Sequence, residues 1–358
     1  MATTLITEIP FFVFSSQIEE IELQTDQDKL VIVVEDGTTE IFTTSLYAFD
    51  GKVEIVNIGE VLENYMIANG KVFTAFTVYY NTADGTNLGS FNLNTLFCSL
   101  RLDIEAGVFA SYNFLTTLPA KRVPPHTIDT LSFLHGQESG SLKIHCIYEA
   151  ETGEVGNKTF TLKTIITDDI GVSSIQVSYD TIYLRLRLHG VKPSKLLSYS
   201  VEYNNRYFTY YVLDTVPDVV FSFKNCFNVV ETAFFNAITT TKTKVNRSMA
   251  ISLGEHLFYD QSVDKTYEVQ TASLTADEAY WVEQLLFSHS VRLGTSTSID
   301  SLPEVIITES ECEIADNDEE LNKVKFTWQF AKTAPHLQKS FRSDTNGVFT
   351  EEYNQTFD

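Results

Sequence analysis

The stretch Leu142-Lys143-Ile144-His145-Cys146-Ile147-Tyr148 alternates apolar and polar side chains along the chain. Successive residues of a strand point to opposite faces of a sheet, so this period of two predicts a half-buried β-strand. Thr152-Gly153 then supplies a turn, and residues 159–165 alternate in the same way. The two runs predict neighbouring antiparallel strands, and much of the remaining sequence repeats the order of short strand, turn and short strand.

The residues before this stretch predict further strands and one helix. Residues 18–23 and 30–34 have strand composition, and Asp36-Gly37 supplies hairpin chemistry before the next strand. Apolar residues then recur at the spacing of one helical face, at Ile58, Val61, Leu62, Tyr65 and Met66. Gly70 stands where a C-terminal capping glycine belongs. This order predicts a β-sandwich closed on one side by a helix.

Two proline-containing stretches predict the domain boundaries. Leu118–His126 and Val216-Pro217-Asp218 are predicted linkers, because proline cannot donate to a strand ladder and biases the preceding residue toward extended forms. We therefore expect four parts. They are a β-rich domain with one short helix (1–118), a second β-sandwich-like domain (126–216), a C-terminal β domain (218–335) and a loose tail (336–358).

Within the second of these domains, Ile182–Leu188 has a strict period of two. Three leucines fall on one face, and Arg185 and Arg187 fall on the other. This pattern predicts another strand.

The third domain carries a helix-start signature. In Thr275-Ala276-Asp277-Glu278, the Thr275 hydroxyl can accept from the Glu278 amide while the Glu278 side chain reaches back. Val282, Leu285 and Leu286 then share one helical face, which predicts a helix near 275–288 packed on strands. The predicted fold class is mainly β, with multidomain antiparallel β-sandwich-like units and a few short helices.

The charge of the chain disfavours nucleic acid as a partner. There are 48 Asp and Glu against 25 Lys and Arg, which gives a formal charge of −23. A field of that sign repels phosphate backbones. Lys121-Arg122 and Lys242-Thr243-Lys244 are too short to form a basic patch. The acidity itself is what solubility alone would favour.

The sequence also predicts the cellular compartment in which the chain is made. Residues 1–8 lack a basic region followed by an apolar run, so no secretory signal is predicted, and Met1 leads us to expect a complete chain made in the cytoplasm. No stretch approaches the roughly 18 apolar residues of a membrane span. The four cysteines are far apart and are predicted to be buried apolar residues, not a disulfide or zinc framework: Cys98, Cys146, Cys226 and Cys312.

We identify no catalytic motif in the sequence. Gly-x-Ser-x-Gly, the phosphate-binding glycine loops and His-Glu-x-x-His do not occur in the sequence. We therefore predict no catalytic, cofactor-binding or metal-binding residue, no cofactor and no enzymatic activity.

Three weaker patterns leave alternatives open. Residues 316–320 (Asp-Asn-Asp-Glu-Glu) could hold Ca²⁺ or form a solvated acidic turn, and they lack the Gly and final Glu of an EF-hand loop. Paired carboxylates could serve glycoside hydrolysis, although 48 acids produce such pairs by chance. The aromatic run Tyr207-Phe208-Thr209-Tyr210-Tyr211 is either core or a platform on which a sugar stacks.

Four runs carry a resemblance to a known group of proteins. They are Phe223–Thr232, the helix region Leu274–Ser288 followed by Ser290-Val291, then Pro303–Thr308, and finally Leu321–Ala331. Together they resemble tail or baseplate proteins encoded by prophages of gut bacteria. The first segment is similar in kind to the β-rich opening of such proteins. These motifs are structural, so no functional residue transfers from them.

The resemblance implies a structural protein that is made in the cytoplasm and becomes part of a virion or phage-like particle. Its partners would be other tail or baseplate proteins, and a homo-oligomeric ring is the form of assembly it implies. The alternative is a carbohydrate-binding or adhesin-like β-sandwich surface protein with a glycan as partner. That class explains the aromatics and the acidity equally well but normally carries an export signal. A hydrolase on a β scaffold is disfavoured by the missing motifs.

Overall fold

The computed structural model describes residues 3–252, 255–295, 299–314 and 322–332. Over these ranges the chain forms mostly antiparallel sheets with four short α-helices. The predicted fold class, mainly β with several sandwich-like units, is confirmed.

The elements up to residue 112 are β1 (Thr4–Leu5), β2 (Val13–Phe14), β3 (Ile21–Gln24), β4 (Lys29–Asp36), β5 (Thr39–Tyr47), β6 (Lys52–Ile55), α1 (Ile58–Ala68), β7 (Phe73–Asn81), β8 (Asn87–Leu96) and α2 (Ala106–Tyr112). Those from 120 to 212 are β9 (Ala120–Val123), β10 (Ile128–His135), β11 (Glu138–Ala150), β12 (Val155–Thr167), β13 (Gly171–Ser178), α3 (Tyr179–Leu188), β14 (Pro193–Tyr203) and β15 (Arg206–Val212). The remainder are β16 (Val219–Lys224), β17 (Val230–Phe235), β18 (Ala237–Ser252), β19 (Glu255–Thr271), α4 (Ala276–Phe287), β20 (Val291–Leu293), β21 (Glu304–Glu313) and β22 (Lys323–Phe330).

Two sheets and α1 enclose the first core. A three-stranded sheet has the order β1-β3-β6, and a five-stranded sheet has the order β2-β8-β7-β4-β5. Ile58, Leu62 and Met66 of α1 are buried in the same cluster as the apolar faces of both sheets. The predicted helix and the hairpin at Asp36-Gly37 are confirmed, and Gly37 and Gly70 both have the positive φ that glycine adopts without strain.

The alternating runs at the centre of the chain form the predicted antiparallel pair, β11 and β12. Their sheet has the order β12-β11-β14-β15-β9, in which β9 runs parallel to β15. A separate two-stranded ribbon consists of β10 and β13. The stretch proposed as the first linker, Leu118–His126, contains β9, so its backbone is hydrogen-bonded into this sheet.

The strands after residue 218 form one sheet of seven, in the order β17-β16-β20-β21-β22-β19-β18. Its apolar face shares a continuous cluster of buried side chains with the β11 sheet and with the β10–β13 ribbon. Phe133, Tyr199 and Phe326 belong to this cluster and come from three different sheets. The division of the chain into domains at 118 and 216 remains a prediction.

Residues 182–188 form helix α3, so the predicted strand is wrong. The same residues also satisfy a helical spacing, since Tyr179, Ile182 and Leu186 are the buried side chains of α3. The Ser178 hydroxyl caps the helix start by accepting from the Thr181 amide at 3.3 Å. The cap and the buried stripe together favour the helix, although Leu184 is left on the exposed side.

The capping box of α4 is confirmed in both directions. The Thr275 hydroxyl accepts from the Glu278 amide at 3.3 Å, and the Thr275 amide donates to Glu278 Oε2 at 3.0 Å. Arg122, at the end of β9, donates from Nε to Glu278 Oε1 at 2.6 Å. The helix start is therefore fixed to the neighbouring sheet as well as to itself.

A buried charge cluster joins the β11 sheet to the seven-stranded sheet. Lys121 Nζ lies 2.7 Å from Asp129 Oδ2 and 3.9 Å from Glu231 Oε2. Trp281 Nε1 donates to Glu231, and Tyr210 donates its hydroxyl hydrogen to Asp129 Oδ2 at 3.2 Å. Burial raises the pKa of Glu231, while the Lys121 charge opposes that rise. We call these five residues the buried charge cluster.

Leu285 and Phe287 of α4 provide a test of its packing. Leu285 is completely buried, whereas the Phe287 side chain is 78% exposed. Leu285→Ala should therefore lower the free energy of unfolding by about 2–5 kcal/mol. Phe287→Ala should change it by no more than about 0.5 kcal/mol. Urea unfolding of the full chain measures both, and equal effects would contradict the orientation of α4.

Substituting Lys121 should lower the free energy of unfolding far more than substituting an exposed lysine. Lys121→Met leaves Asp129 buried without its ion-pair partner, for which we expect a loss of about 3–5 kcal/mol in the free energy of unfolding. Lys195→Met is the matched control, because Lys195 pairs with the exposed Asp214. Lys195→Met should lower the free energy of unfolding by less than about 1 kcal/mol in the same urea titration. If both variants unfolded at the same urea concentration, the buried charge cluster would not contribute to stability.

Candidate functional site

The longest hairpin of the chain extends beyond the sheet from which it starts. β18 and β19 pair with each other along their whole lengths, but β19 pairs with β22 only over Tyr267–Gln270. We call residues 242–252 and 255–266 the arm. Eleven residues of strand span about 35 Å, so the arm is long relative to the body of the chain.

The residue types in β18 explain why this half of the arm forms a strand. Thr239, Thr240, Thr241, Thr243 and Val245 are β-branched, and such residues fit a pleated surface. The side chains of residues 241–247 are exposed. At the base of the arm, Tyr267 stacks on Trp328 with ring centroids 4.3 Å apart. The base of the arm is thus anchored by the contact between partly buried Tyr267 and buried Trp328, and residues 241–247 beyond it are exposed.

The edge strand of the arm, β18, has a charge opposite to that of the protein, whereas the β19 half of the arm carries Glu255, Asp260 and Asp264 against one Lys265. β18 carries Lys242, Lys244 and Arg247 and contains no Asp or Glu. Lys242 pairs with Glu268, and Lys325 Nζ also lies 2.9 Å from that carboxylate. Lysines along an edge strand discourage pairing with another edge of the same charge. An acidic partner strand would not be repelled.

β18 is also a terminal strand of the seven-stranded sheet. Within the described part of the chain, no strand pairs with its outer side. Its outward N–H and C=O groups can therefore accept a strand from another molecule. A hairpin alone is only marginally stable in water, so a partner would stabilise an arm of this length. Sequence reasoning missed this surface, although the alternation of Thr with Lys over 241–244 is a strand signal.

The aromatic run 207–211 is divided between the two faces of β15. Phe208 and Tyr210 are buried, and Tyr210 stacks on Tyr199 with centroids 4.9 Å apart. Tyr207 and Tyr211 are 56% and 53% exposed on the opposite face. A continuous aromatic platform is therefore not formed, because a strand sends alternate side chains to opposite faces.

The exposed face around Tyr207 carries a small polar network. Glu202 accepts hydrogen bonds from Lys143 Nζ at 2.8 Å and from His145 Nε2 at 2.7 Å. These two hydrogen bonds lower the pKa of Glu202. The Tyr207 ring lies 6.0 Å from the His145 ring. The network satisfies its own charges, so it does not by itself indicate a ligand.

The buried charge cluster brings two carboxylates together, as glycoside hydrolysis would require. Asp129 and Glu231 are both buried, however, and the cavity beside Lys121 and Trp281 measures only about 60 Å³. Small-molecule sites are usually about 300–1,000 Å³. This pair has room for a few water molecules and not for a sugar ring. Neither Lys121 nor Glu231 was predicted, although a lone acid within the apolar strand Val230–Phe235 is a signal of a buried charge.

Two sequence predictions fall outside the described residues. They are the acidic run 316–320 and the tail 336–358. In the part of the chain that is described, no group of three His, Cys, Asp or Glu side chains could hold a metal ion. The described helices are all too short or too polar to cross a membrane. Cys98, Cys146 and Cys226 are buried, as predicted, and Cys312 is partly buried.

No protein-family model matches the chain, and no curated protein matches it. Among solved structures, the chain is similar to the full extracellular region of plexin A4, with 9% identity over 93% of this chain and a TM-score of 0.22. It spans 40% of the length of that plexin chain. It is also similar to the calcium-binding domain CBD12 of CALX1.1, with 11% identity over 57% of this chain and 79% of that one and a TM-score of 0.20. Similarities this weak carry no argument about function.

Proposed function

We propose that this chain is an assembly protein that acts through protein–protein contacts and without catalysis, as a component of a phage-like tail or baseplate. The arm is the observation that carries the proposal. It exposes an edge strand of 16 residues, Ala237–Ser252, and projects beyond the fold that stabilises its base. An exposed edge strand of this kind can pair with a strand from another chain.

The partner class follows from the chemistry of the arm. Lys244 lies on the exposed edge strand β18, which contains no Asp or Glu, so this edge favours an acidic surface. A second copy of this chain offers one, since residues 1–118 contain sixteen Asp and Glu and only four Lys and Arg. Contacts between unlike surfaces of identical subunits close into rings or extend as filaments. The proposal therefore includes a ring of copies that also contacts other tail or baseplate proteins.

The resemblance of residues 223–331 to tail and baseplate proteins supports the same proposal independently. Its residues lie in β16, β17, α4, β21 and β22, and β22 pairs with β19 at the base of the arm. On this proposal the chain is made in the cytoplasm and functions within a particle. A glycan-binding surface remains the competing function, and the exposed Tyr207 and Tyr211 are the residues on which it would depend.

Shortening the arm should remove the chain from particles without unfolding it. Lys242 and Thr266 are register partners, so replacing residues 243–265 by Asn-Gly leaves a two-residue hairpin loop on the intact base. We expect an unchanged melting temperature, because none of the deleted residues whose burial is described, 243–249 and 262–265, is buried. Incorporation should fall to less than about a tenth of the wild-type level, since the loss of several contacts of about 1.4 kcal/mol each is at least tenfold. The measurement is pull-down from cells carrying the whole gene cluster, followed by electron microscopy.

Matched charge variants control this experiment. Lys244→Glu reverses one charge on the arm, whereas Lys192→Glu makes the same change at an exposed position away from it. Only Lys244→Glu should reduce incorporation. Tail-like particles that contain the shortened chain at the wild-type level would contradict the proposal. So would persistent absence of the wild-type chain from purified particles.

A further inference from the structure

A cleft with a volume of about 990 Å³ lies where residues of the three predicted domains meet. Val72 and Phe73, at the start of β7, form one wall. The β10–β13 ribbon forms the second wall with its hydroxyl and amide side chains, including Ser132 and Gln176. Residues 228–230 form the third wall. The cleft is separate from the arm and from the buried charge cluster.

The charge of this cleft is opposite to that of the molecule. Lys163 and Lys224 line it, and no Asp or Glu is among its lining residues. Acids outnumber basic residues by 48 to 25 in the whole chain, so a wall with two lysines and no carboxylate is a local exception. Burial lowers the pKa of Lys224, and the charge of Asp300 opposes this change. A bound anion would stabilise the Lys224 ammonium in its partly desolvated position.

Asn228 supplies a second and independent observation. Its side chain is 2% exposed and lines the cleft. Its amide nitrogen donates to the Lys71 carbonyl at 2.9 Å, whereas no donor in the described structure reaches its Oδ1 atom. Its backbone has a φ of 60°, a conformation that is uncommon for a residue other than glycine. A buried acceptor without a donor is costly, and a ligand hydroxyl would satisfy it.

We infer that this cleft binds a sugar acid, that is, a hydroxyl-rich ligand with a carboxylate, such as a uronic acid. Lys163 and Lys224 would bind the carboxylate by charge-assisted hydrogen bonds. Asn228 Oδ1 would accept from a sugar hydroxyl, and the paired hydroxyls of Ser132 and Ser174, 2.8 Å apart, offer further partners. The half-buried Phe73 ring provides an apolar surface for the C–H face of the sugar.

The ligand could be a free sugar acid or a unit of a polysaccharide. The chemistry that the cleft recognises is the same in both cases, so the experiment must separate them. Inorganic phosphate is a poorer match, because it mainly accepts hydrogen bonds and would leave Asn228 Oδ1 without a donor. This site does not depend on the assembly role proposed for the arm.

Ligand-observed NMR on the full chain tests the inference with four probes. These are glucuronate, glucose as its neutral counterpart, inorganic phosphate and a uronate oligosaccharide. We expect saturation transfer to glucuronate and none to glucose at the same concentration, because glucose lacks the carboxylate. Stronger binding of the oligosaccharide than of glucuronate would identify a polysaccharide as the source, and equal binding would identify the free acid. Binding of neither uronate, or tighter binding of phosphate, would overturn the inference.

Three substitutions locate the site. Gln176→Glu places a carboxylate at an exposed position in the cleft and should abolish uronate binding by charge repulsion without affecting the core. Lys163→Met should weaken binding about tenfold, since a hydrogen bond to a charged group contributes at least that factor. Lys192→Met removes an exposed lysine outside the cleft and should leave binding unchanged. Uronate binding that survives Gln176→Glu and Lys163→Met in chains with wild-type melting temperatures would place the ligand elsewhere and overturn the assignment.

Discussion

The buried charge cluster is the constraint on which the arrangement of the sheets depends. Lys121 is 5% exposed, and an ammonium group at that depth is tolerated only with a partner. Asp129 comes from β10, Glu231 from β17 and Trp281 from α4, so the pairing of one lysine brings three further elements together. Arg122, the next residue of β9, contacts Glu278 at the start of α4. A four-residue strand thus connects the β11 sheet to the seven-stranded sheet.

That connection determines what the arm can do. The seven-stranded sheet shares its core with the rest of the chain after residue 114, so the base of the arm at Tyr267 and Trp328 is held on a packed body. Beyond the base, the two strands of the arm have only each other as hydrogen-bonding partners in the described structure. A rigid base with a projecting edge strand favours capture of a partner strand in one orientation. The cleft near Asn228 lies in the body of the chain, where ligand binding would not compete with such a contact.

Patterns of residues close in sequence were sufficient to predict much of the fold. The capping box at Thr275, the apolar stripe of α1 and the hairpin at Asp36-Gly37 depend on residues close in sequence, and all three are confirmed. Ile182–Leu188 was assigned wrongly because its side chains satisfy periods of both two and 3.6, and only the Ser178 cap and the packing of Ile182 and Leu186 decide between them. The partners of Lys121 could not be predicted, since Glu231 lies 110 positions away and meets it only in the folded chain. The open edge of β18 likewise depends on the order of strands in the sheet, which local pattern does not specify.

Hydrogen–deuterium exchange of the chain, alone and within purified particles, tests whether the open edge of β18 pairs with a partner strand. In the isolated chain, amides of residues 242–252 should exchange much faster than those of β11 and β14, because none of the arm residues whose burial is described, 242–249 and 262–266, is buried. In particles, we expect strong protection of the same arm amides, since their outward N–H groups would then be bonded to a partner strand. Arm amides that exchange at the same rate in both states, while the chain is present in the particles, would contradict it.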